Sequence, residues 1–504
     1  MRYFLGLDVG TSGTKALLVD EKGRVKAAAT AAHPLSTPEP GWAEQRPDDW
    51  WKSCVRATQQ VLGGAGVDAN RVASVGLSGQ MHSSVFLDES ARVIRPALLW
   101  CDGRTTEECL QITAQIGERQ LREWVQNPAL EGFTLPKILW LRNHEPGAFA
   151  RLAKVVLPKD YVRLRLTGVL ATEASDASAT LMFDGAHRRW SRPMLDAMQL
   201  PMSLVPDVGE SADVLGKVSR EAARATGLAR DTPVVGGGAD NACGAIGVGL
   251  VSPGEAVASW GTSGTVLVPS LEPLVDPEMR AHTFCHAVPG TWYLMGVMLS
   301  AGGAFAWHKR ELARELASKK DANLVLDREA ARIAPGAEGL TFLPYLQGER
   351  TPHRDASARA AFVGLTLAHT RAHMSRAVIE GICFGMRDSL SIVRGLAGIG
   401  QILVTGGGAK SRFVRKMQAD VYGLPVVRVN REEGPAYGAA LLGAVGVGAF
   451  ADIATACRET VQRLAPEPFD PDVHRAHAVP YERFRRLYPA LRSLQDRRDE
   501  HERT

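Results

Sequence analysis

A chain of 504 residues, 45% hydrophobic and 23% charged, has globular composition; this excludes wholesale disorder, and the length exceeds one ordinary core, so at least two domains are expected. Fifty-nine basic against 55 acidic residues leave a net charge of +4, too slight to argue for a polyanionic partner. Seven cysteines with no CxxC pair read as reduced thiols rather than a disulfide or zinc framework, and Asp8 interrupts the N-terminal apolar run before a secretory segment could form, so a soluble, cytoplasmic protein is expected.

The chain opens as strand (Tyr3 to Val9), turn (Gly10-Thr11-Ser12-Gly13), strand (Ala16 to Val19) and turn (Glu21-Lys22-Gly23). Glycines at 10 and 13 let backbone N–H groups and the hydroxyls of Thr11, Ser12 and Thr14 surround phosphate oxygens. Asp8, at the strand end, is placed to hold Mg²⁺ through water. The same residues also read as a plain glycine hairpin whose Asp caps its own turn. Next, Val72 to Leu77 reads as a strand leading into Ser78-Gly79-Gln80-Met81-His82. There an imidazole could bond sugar hydroxyls while Met81 covers an apolar face, although a lone His is more often structural. Asp102 and Arg104 read as a local ion pair.

Pro233 to Val235 is strand-like and runs into Gly236-Gly237-Gly238-Ala239-Asp240-Asn241. A kinase acting on an alcohol needs a carboxylate beside the attacking hydroxyl, and Asp suits a loose transition state that asks for little basicity. An Asx-turn explains Asp240 equally well on local grounds. Ala256 to Trp260, the turn Gly261-Thr262-Ser263-Gly264 and Val266 to Val268 repeat the opening pattern. The pentapeptide Gly-Thr-Ser-Gly-Thr stands at 10–14 and again at 261–265, about half the chain apart. An internal duplication is therefore expected, with a phosphate-holding turn in each half and a ligand clamped between them.

Trp292 to Leu299 reads as a strand that turns through glycines into a helix, and a long apolar helix covers 373–395. Ile402 to Val404 is a strand before Thr405-Gly406-Gly407-Gly408, a turn able to lie against an adenosine at a helix N-terminus. Ser411 caps the next helix, which is expected to bury Phe413, Val414, Met417 and Val421 and to stop at Gly423. Two uncharged stretches, Ala287 to Trp307 and Pro435 to Ala451, are too rich in Gly and Pro to span a membrane. The second reads as a helix whose small residues admit a close neighbour. Tyr481 to Thr504 reads as a terminal helix, built on Phe484, Leu487, Leu491 and Leu494, fraying into a solvated tail. The chain lacks GxxxxGK[ST], HRDxxxxN and GxSxG, and the glycines at 236–238 lack dinucleotide spacing. A P-loop NTPase, a protein kinase, an α/β-hydrolase and a dehydrogenase are all disfavoured.

Two long stretches, Gly132 to His144 and Ala360 to Glu380, both resemble signatures of the FGGY carbohydrate kinases, in that family's order. Leu157-Pro158-Lys159-Asp160-Tyr161, Ser175-Asp176-Ala177-Ser178 and Gly348-Glu349-Arg350-Thr351-Pro352-His353 agree. The resemblance implies an α/β fold of two actin-like, ribonuclease-H-like domains with mixed sheets flanked by helices and a cleft between them. The expected limits are 1–235 (sugar side, first phosphate loop), 236–450 (ATP side, second phosphate loop, adenosine motif) and 451–504 (a helical segment packing back). It also implies ATP and Mg²⁺ as cofactors and phosphorylation of D-xylulose to D-xylulose 5-phosphate. By this resemblance Asp240 is the catalytic base, Met81, His82 and Asn241 contact the sugar with it, and Asp8 is the acidic residue near metal and phosphate. Thr11, Ser12, Gly261, Thr262 and Ser263 form the phosphate loops, and Gly407 and Gly408 the adenosine motif. Glycerol kinases carry Arg-Glu where Met81-His82 stands, which argues against glycerol. A kinase of ribulose, arabinitol or xylitol and a non-catalytic nucleotide-gated sugar sensor are the alternatives. The expected partners are a sugar and a nucleotide, without nucleic acid or membrane, and a homodimer is compatible with the family.

Overall fold

The apolar runs at the N-terminus form a meander: β1 (Tyr3–Val9) pairs antiparallel with β2 (Gly13–Asp20), and β2 with β3 (Val25–Ala32). The computed structural model, which describes residues 1–431 and 433–495, then crosses through α1 (Pro47–Ala65) to β4 (Val72–Gly79), parallel to β1. β4 is buried almost without alternation because a parallel strand in mid-sheet is covered on both faces. After α2 (Thr134–His144) and α3 (Pro158–Thr167), the strands β5 (Val214–Lys217), β6 (Pro233–Val235) and β7 (Gly238–Ala239) complete the sheet. Its seven strands run β5-β6-β4-β1-β2-β3, with β7 also on β4. β7 lies beyond the expected domain limit at 235, and α4 (Asp240–Gly247) follows it directly.

The second half repeats the scheme. β8 (Gly254–Trp260), β9 (Gly264–Ser270), β10 (His282–Cys285) and β11 (Trp292–Met298) form antiparallel pairs. The chain continues through α5 (Gly302–Leu312) and α6 (Arg371–Leu396) to β12 (Ile399–Gly406), parallel to β8. α7 (Arg412–Tyr422) then leads to β13 (Val426–Val427). The order is β10-β11-β9-β8-β12-β13. Thus β3-β2-β1-β4-β6 and β11-β9-β8-β12-β13 share one order and one set of strand directions. The register matches as well: Asp8 pairs with Ser78 and Val9 with Gly79 in the first sheet, Ser259 with Thr405 and Trp260 with Gly406 in the second. The two-domain, mixed-sheet α/β class is as expected.

α7 is capped as read: the Ser411 hydroxyl accepts from the Val414 N–H at 3.2 Å and Gly423 ends the helix at φ +65°. Val414, Met417 and Val421 are buried, but Phe413 is only half-buried. The helix α8 (Pro435–Gly446) lies on the first sheet although it follows the second. A Cβ on Gly6 would stand 1.9 Å from the Ala436 carbonyl oxygen, and one on Gly76 1.8 Å from that of Ala439. Bare backbone at both positions is what lets helix and sheet touch. The last helix, α9 (Ala478–Gln495), buries Phe484, Leu487 and Tyr488 in the second half's core, while Leu494 is exposed. The tail expected after it, 496–504, lies outside the described residues. Among the described residues no helix is long and apolar enough to cross a membrane.

Candidate active site

Three parallel strand ends of the first sheet, β1, β4 and β7, deliver Asp8, Met81-His82 and Asp240-Asn241 to one place. β7 reaches β4 because Gly237 turns at φ +78°, where a Cβ would lie 2.0 Å from the Leu77 oxygen. Asp240 therefore begins α4 rather than ending a loop. Its Oδ1 accepts from the Asn241 amide at 2.9 Å, and the same amide nitrogen lies 3.3 Å from the Met81 sulfur. Burial, assisted by the Asp8 carboxylate, pushes the Asp240 carboxyl up to about 7. Burial likewise raises Asp8 to about 6, against the lowering influence of the Ser78 hydroxyl and the Lys15 ammonium.

His82 adopts φ +65°, a left-handed conformation that costs a side-chain-bearing residue strain and marks functional sites. Three contacts hold it there. Its Nδ1 lies 2.6 Å from the Ala179 oxygen, its own carbonyl accepts from the Thr134 hydroxyl at 2.9 Å, and its ring meets Phe133 at 4.7 Å. A carbonyl opposite Nδ1 requires the proton on that nitrogen, which leaves Nε2 as an acceptor. Burial keeps the ring neutral by driving its pKa down to about 3.

Behind these strand ends sits a cluster of buried charge. The Lys159 ammonium lies 2.7 Å from Asp160, 3.4 Å from Glu173 and 3.3 Å from Asp176, with Arg163 also on Asp160. It backs the site closely: a Cβ on Gly79 would meet that of Lys159 at 3.2 Å, and the Ser175 hydroxyl accepts from the Ala239 N–H at 3.0 Å. The Asp102–Arg104 pair is the local ion pair expected, 2.8 Å apart, with the guanidinium 3.6 Å above the Trp42 ring.

The first turn is braced from outside. The Thr11 hydroxyl accepts from the Trp100 indole at 3.0 Å and faces Gln80 Oε1 at 3.3 Å, while Gln45 donates to the Thr11 carbonyl at 2.7 Å. Ser12 is exposed at its tip. On the second turn docks the start of α5: the N–H groups of Gly302 and Gly303 donate to the carbonyls of Gly261 and Thr262 at 2.8 and 2.9 Å. A cavity of about 370 Å³ there is walled by Trp260, Gly261, Thr262, Gly302, Gly407 and Gly408. An adjoining one of about 770 Å³ runs from Ser259 and Gly407 to Asp240 and Asn241. Asn241 thus touches Met81 on one side and, with Asp240, lines the larger cavity on the other. Ser263, Thr11, Ser12, Asp8, Met81 and His82 line neither of these two cavities. Gly302 was not singled out from sequence, although a Cβ on it would lie 2.4 Å from the Gly261 oxygen. Its signal was the Gly-Gly pair after the strand Trp292–Met298.

The surroundings of Asp8 fit the metal that the resemblance implies. Asp8 Oδ1 is buried at a strand end beside the first turn and has no hydrogen-bond partner, as suits an oxygen facing a hydrated cation. Among the described residues no group of three or more His, Cys, Asp and Glu could hold an ion alone.

Comparison with known proteins covers almost the whole chain. The profile of the FGGY family of carbohydrate kinases, N-terminal domain, matches residues 3–247 and that of the C-terminal domain 256–447. A xylulose kinase of Lactococcus lactis is 41% identical over 457 residues, 89% of each chain. One of Escherichia coli is 40% identical over 501 residues, 97% of this chain and 99% of that one. The crystal structure of a xyloylose kinase from Brucella ovis superposes with a TM-score of 0.91 at 37% identity, covering 98% of this chain and all of that one.

Proposed function

The chain belongs to the FGGY family of carbohydrate kinases, and from that premise we propose that it moves the γ-phosphoryl group of ATP to D-xylulose, giving D-xylulose 5-phosphate and ADP. One observation carries the assignment of roles: Asn241 touches Met81 and, with Asp240, lines the cavity that reaches Gly407. Sugar then lies against Met81, His82 and Asn241, and nucleotide against Gly261, Thr262, Gly407 and Gly408. Because Asn241 occupies Asp240 Oδ1, Oδ2 is left to orient the attacking hydroxyl and take its proton as the new P–O bond forms. A raised pKa near neutrality suits a group that must accept a proton and later release it. Backbone N–H groups at the tips of the two glycine turns, that of Thr11 among them, with the Ser12 and Ser263 hydroxyls, donate to phosphate oxygens whose charge shifts during transfer. Asp8 would hold a Mg²⁺ brought in with ATP, and that ion would supply neutralisation of the phosphate charge. The intact base and both intact turns favour this over a nucleotide-gated sensor.

The test is ADP release with MgATP and D-xylulose, D-ribulose, L-ribulose, D-arabinitol, xylitol or glycerol, compared as kcat/KM. The expected result is a clear preference for D-xylulose. Preference for another ketose or pentitol would reassign the acceptor, and absence of turnover with ATP still bound would revive the sensor.

A further inference from the structure

One histidine of the second half, His282, has a polar atom that the fold leaves unmet. It sits on β10, 2% exposed, with its Nδ1 3.0 Å from the Asn127 side-chain oxygen. The orientation of that amide is settled by its nitrogen, which donates to the carbonyls of Val125 at 3.2 Å and Thr283 at 2.7 Å. Oδ1 of Asn127 therefore faces the ring as an acceptor, so Nδ1 carries the ring proton and Nε2 holds a lone pair. Nε2 is buried and has no hydrogen-bond partner, a costly state for an acceptor.

His82, in the first half, repeats the arrangement, with Nδ1 pinned by the Ala179 carbonyl and Nε2 left as the acceptor. The two rings share one aromatic floor. His82 and His282 lie 4.7 and 5.7 Å from Phe133, and 5.9 and 5.5 Å from Phe284, on which His282 stacks at 19°. Beside that floor the Arg350 guanidinium packs over bare Gly132, where a Cβ would stand 3.2 Å from it. Two neutral imidazole acceptors, an apolar floor for C–H faces and a guanidinium donor make a set that suits a polyhydroxy ligand, and the two halves share its construction. Burial holds both imidazoles neutral.

We propose that His282 is an acceptor-binding residue for the kinase reaction: its Nε2 takes a hydrogen bond from a sugar hydroxyl, across Phe133 and Phe284 from His82. The inference rests on the sugar-kinase reading. Its consequence is that the sugar bridges the two halves, because His282 belongs to the second sheet and His82 to the end of β4.

The test is a cycle between protein and substrate. His282→Asn keeps an N–H toward Asn127 and deletes the outer acceptor; His282→Gln retains an amide acceptor farther out. These and the wild type are assayed with D-xylulose and its 1-, 3- and 4-deoxy analogues. The expected KM for D-xylulose rises roughly tenfold in H282N, without a matching rise for MgATP, and H282Q falls between. One deoxy analogue should cost the wild type roughly tenfold in kcat/KM and cost H282N nothing further. A merely structural His282 would leave every deoxy penalty unchanged, and that additivity overturns the proposal. Should H282N fail to fold, the same cycle run on His282→Leu, which also lacks the outer acceptor, decides it. A wild type that does not turn over D-xylulose overturns the kinase reading instead, so the two failures are distinguishable.

Discussion

Asp240 is the first residue of α4, where a helix N-terminus favours negative charge, yet its carboxyl is pushed up to about 7. Burial and the Asp8 carboxylate outweigh the helix. As the reaction needs the ionised form, kcat/KM for sugar should fall roughly tenfold per unit below about pH 7, read from a pH–rate profile. Asp240→Asn should lower turnover by about 10³-fold while ATP still binds, checked by single-turnover kinetics and nucleotide titration. The same substitution should raise Tm at pH 8 without Mg²⁺. Asp240 titrates at 3.8 when unfolded and about 7 when folded, so the native state binds more protons across that interval and loses stability as pH rises through it. Asn carries no such charge, and the gain should vanish toward pH 4. Lys159 serves three buried carboxyls, whose charge pushes its ammonium pKa up. Lys159→Met should destabilise by about 3 kcal/mol, measured by denaturant unfolding, because it leaves Glu173 and Asp176 without a countercharge and Asp160 with Arg163 alone. At this scale Met81, His82, Asp240 and Asn241 were legible because each follows a strand flagged by glycine. His282 was not: its case depends on which atom of Asn127 faces its ring, and that contact joins residues far apart in the chain.

Each half opens with a hairpin whose glycine turn the sequence repeats, and the elements that follow the hairpins agree in order and direction. α8 is the element that ties the halves together. Its small residues predicted a close neighbour, and that neighbour is the pair of glycines in β1 and β4. Gly76→Ala should cost about 3 kcal/mol, since its Cβ would lie 1.8 Å from a backbone oxygen that cannot move without shifting the helix; thermal unfolding checks it. β7 was missed as a strand because Gly-Ala has no periodicity to read. Its pairing with β4 follows from the left-handed turn at Gly237. The nucleotide-side wall from α5 was missed in part for a related reason, since Gly302 matters only once α5 docks on the second turn.

The two halves meet along several contacts besides α8. Arg122 donates to the Pro277 carbonyl at 2.9 Å, Asn127 to that of Thr283 at 2.7 Å and Lys15 to that of Glu433 at 2.9 Å. Between them the cavity of about 770 Å³ leaves room for nucleotide, and a kinase must exclude water from the phosphoryl group. D-xylulose with a non-hydrolysable ATP analogue should therefore reduce the radius of gyration more than either alone, as small-angle scattering would show; equal values would refute closure. The sequence by itself determined the two-domain α/β class, the paired glycine turns and the strand-end residues, because strand periodicity, glycine punctuation and a charged residue at a strand end are local properties. Only the tertiary structure decided that Asp240 starts a helix within reach of Asp8, that α8 crosses to the other half's sheet, and that His82 and His282 face one aromatic floor. Those facts depend on long-range packing, where burial sets charge states and backbone contact sets position, and a linear chain carries no trace of which distant atoms will meet.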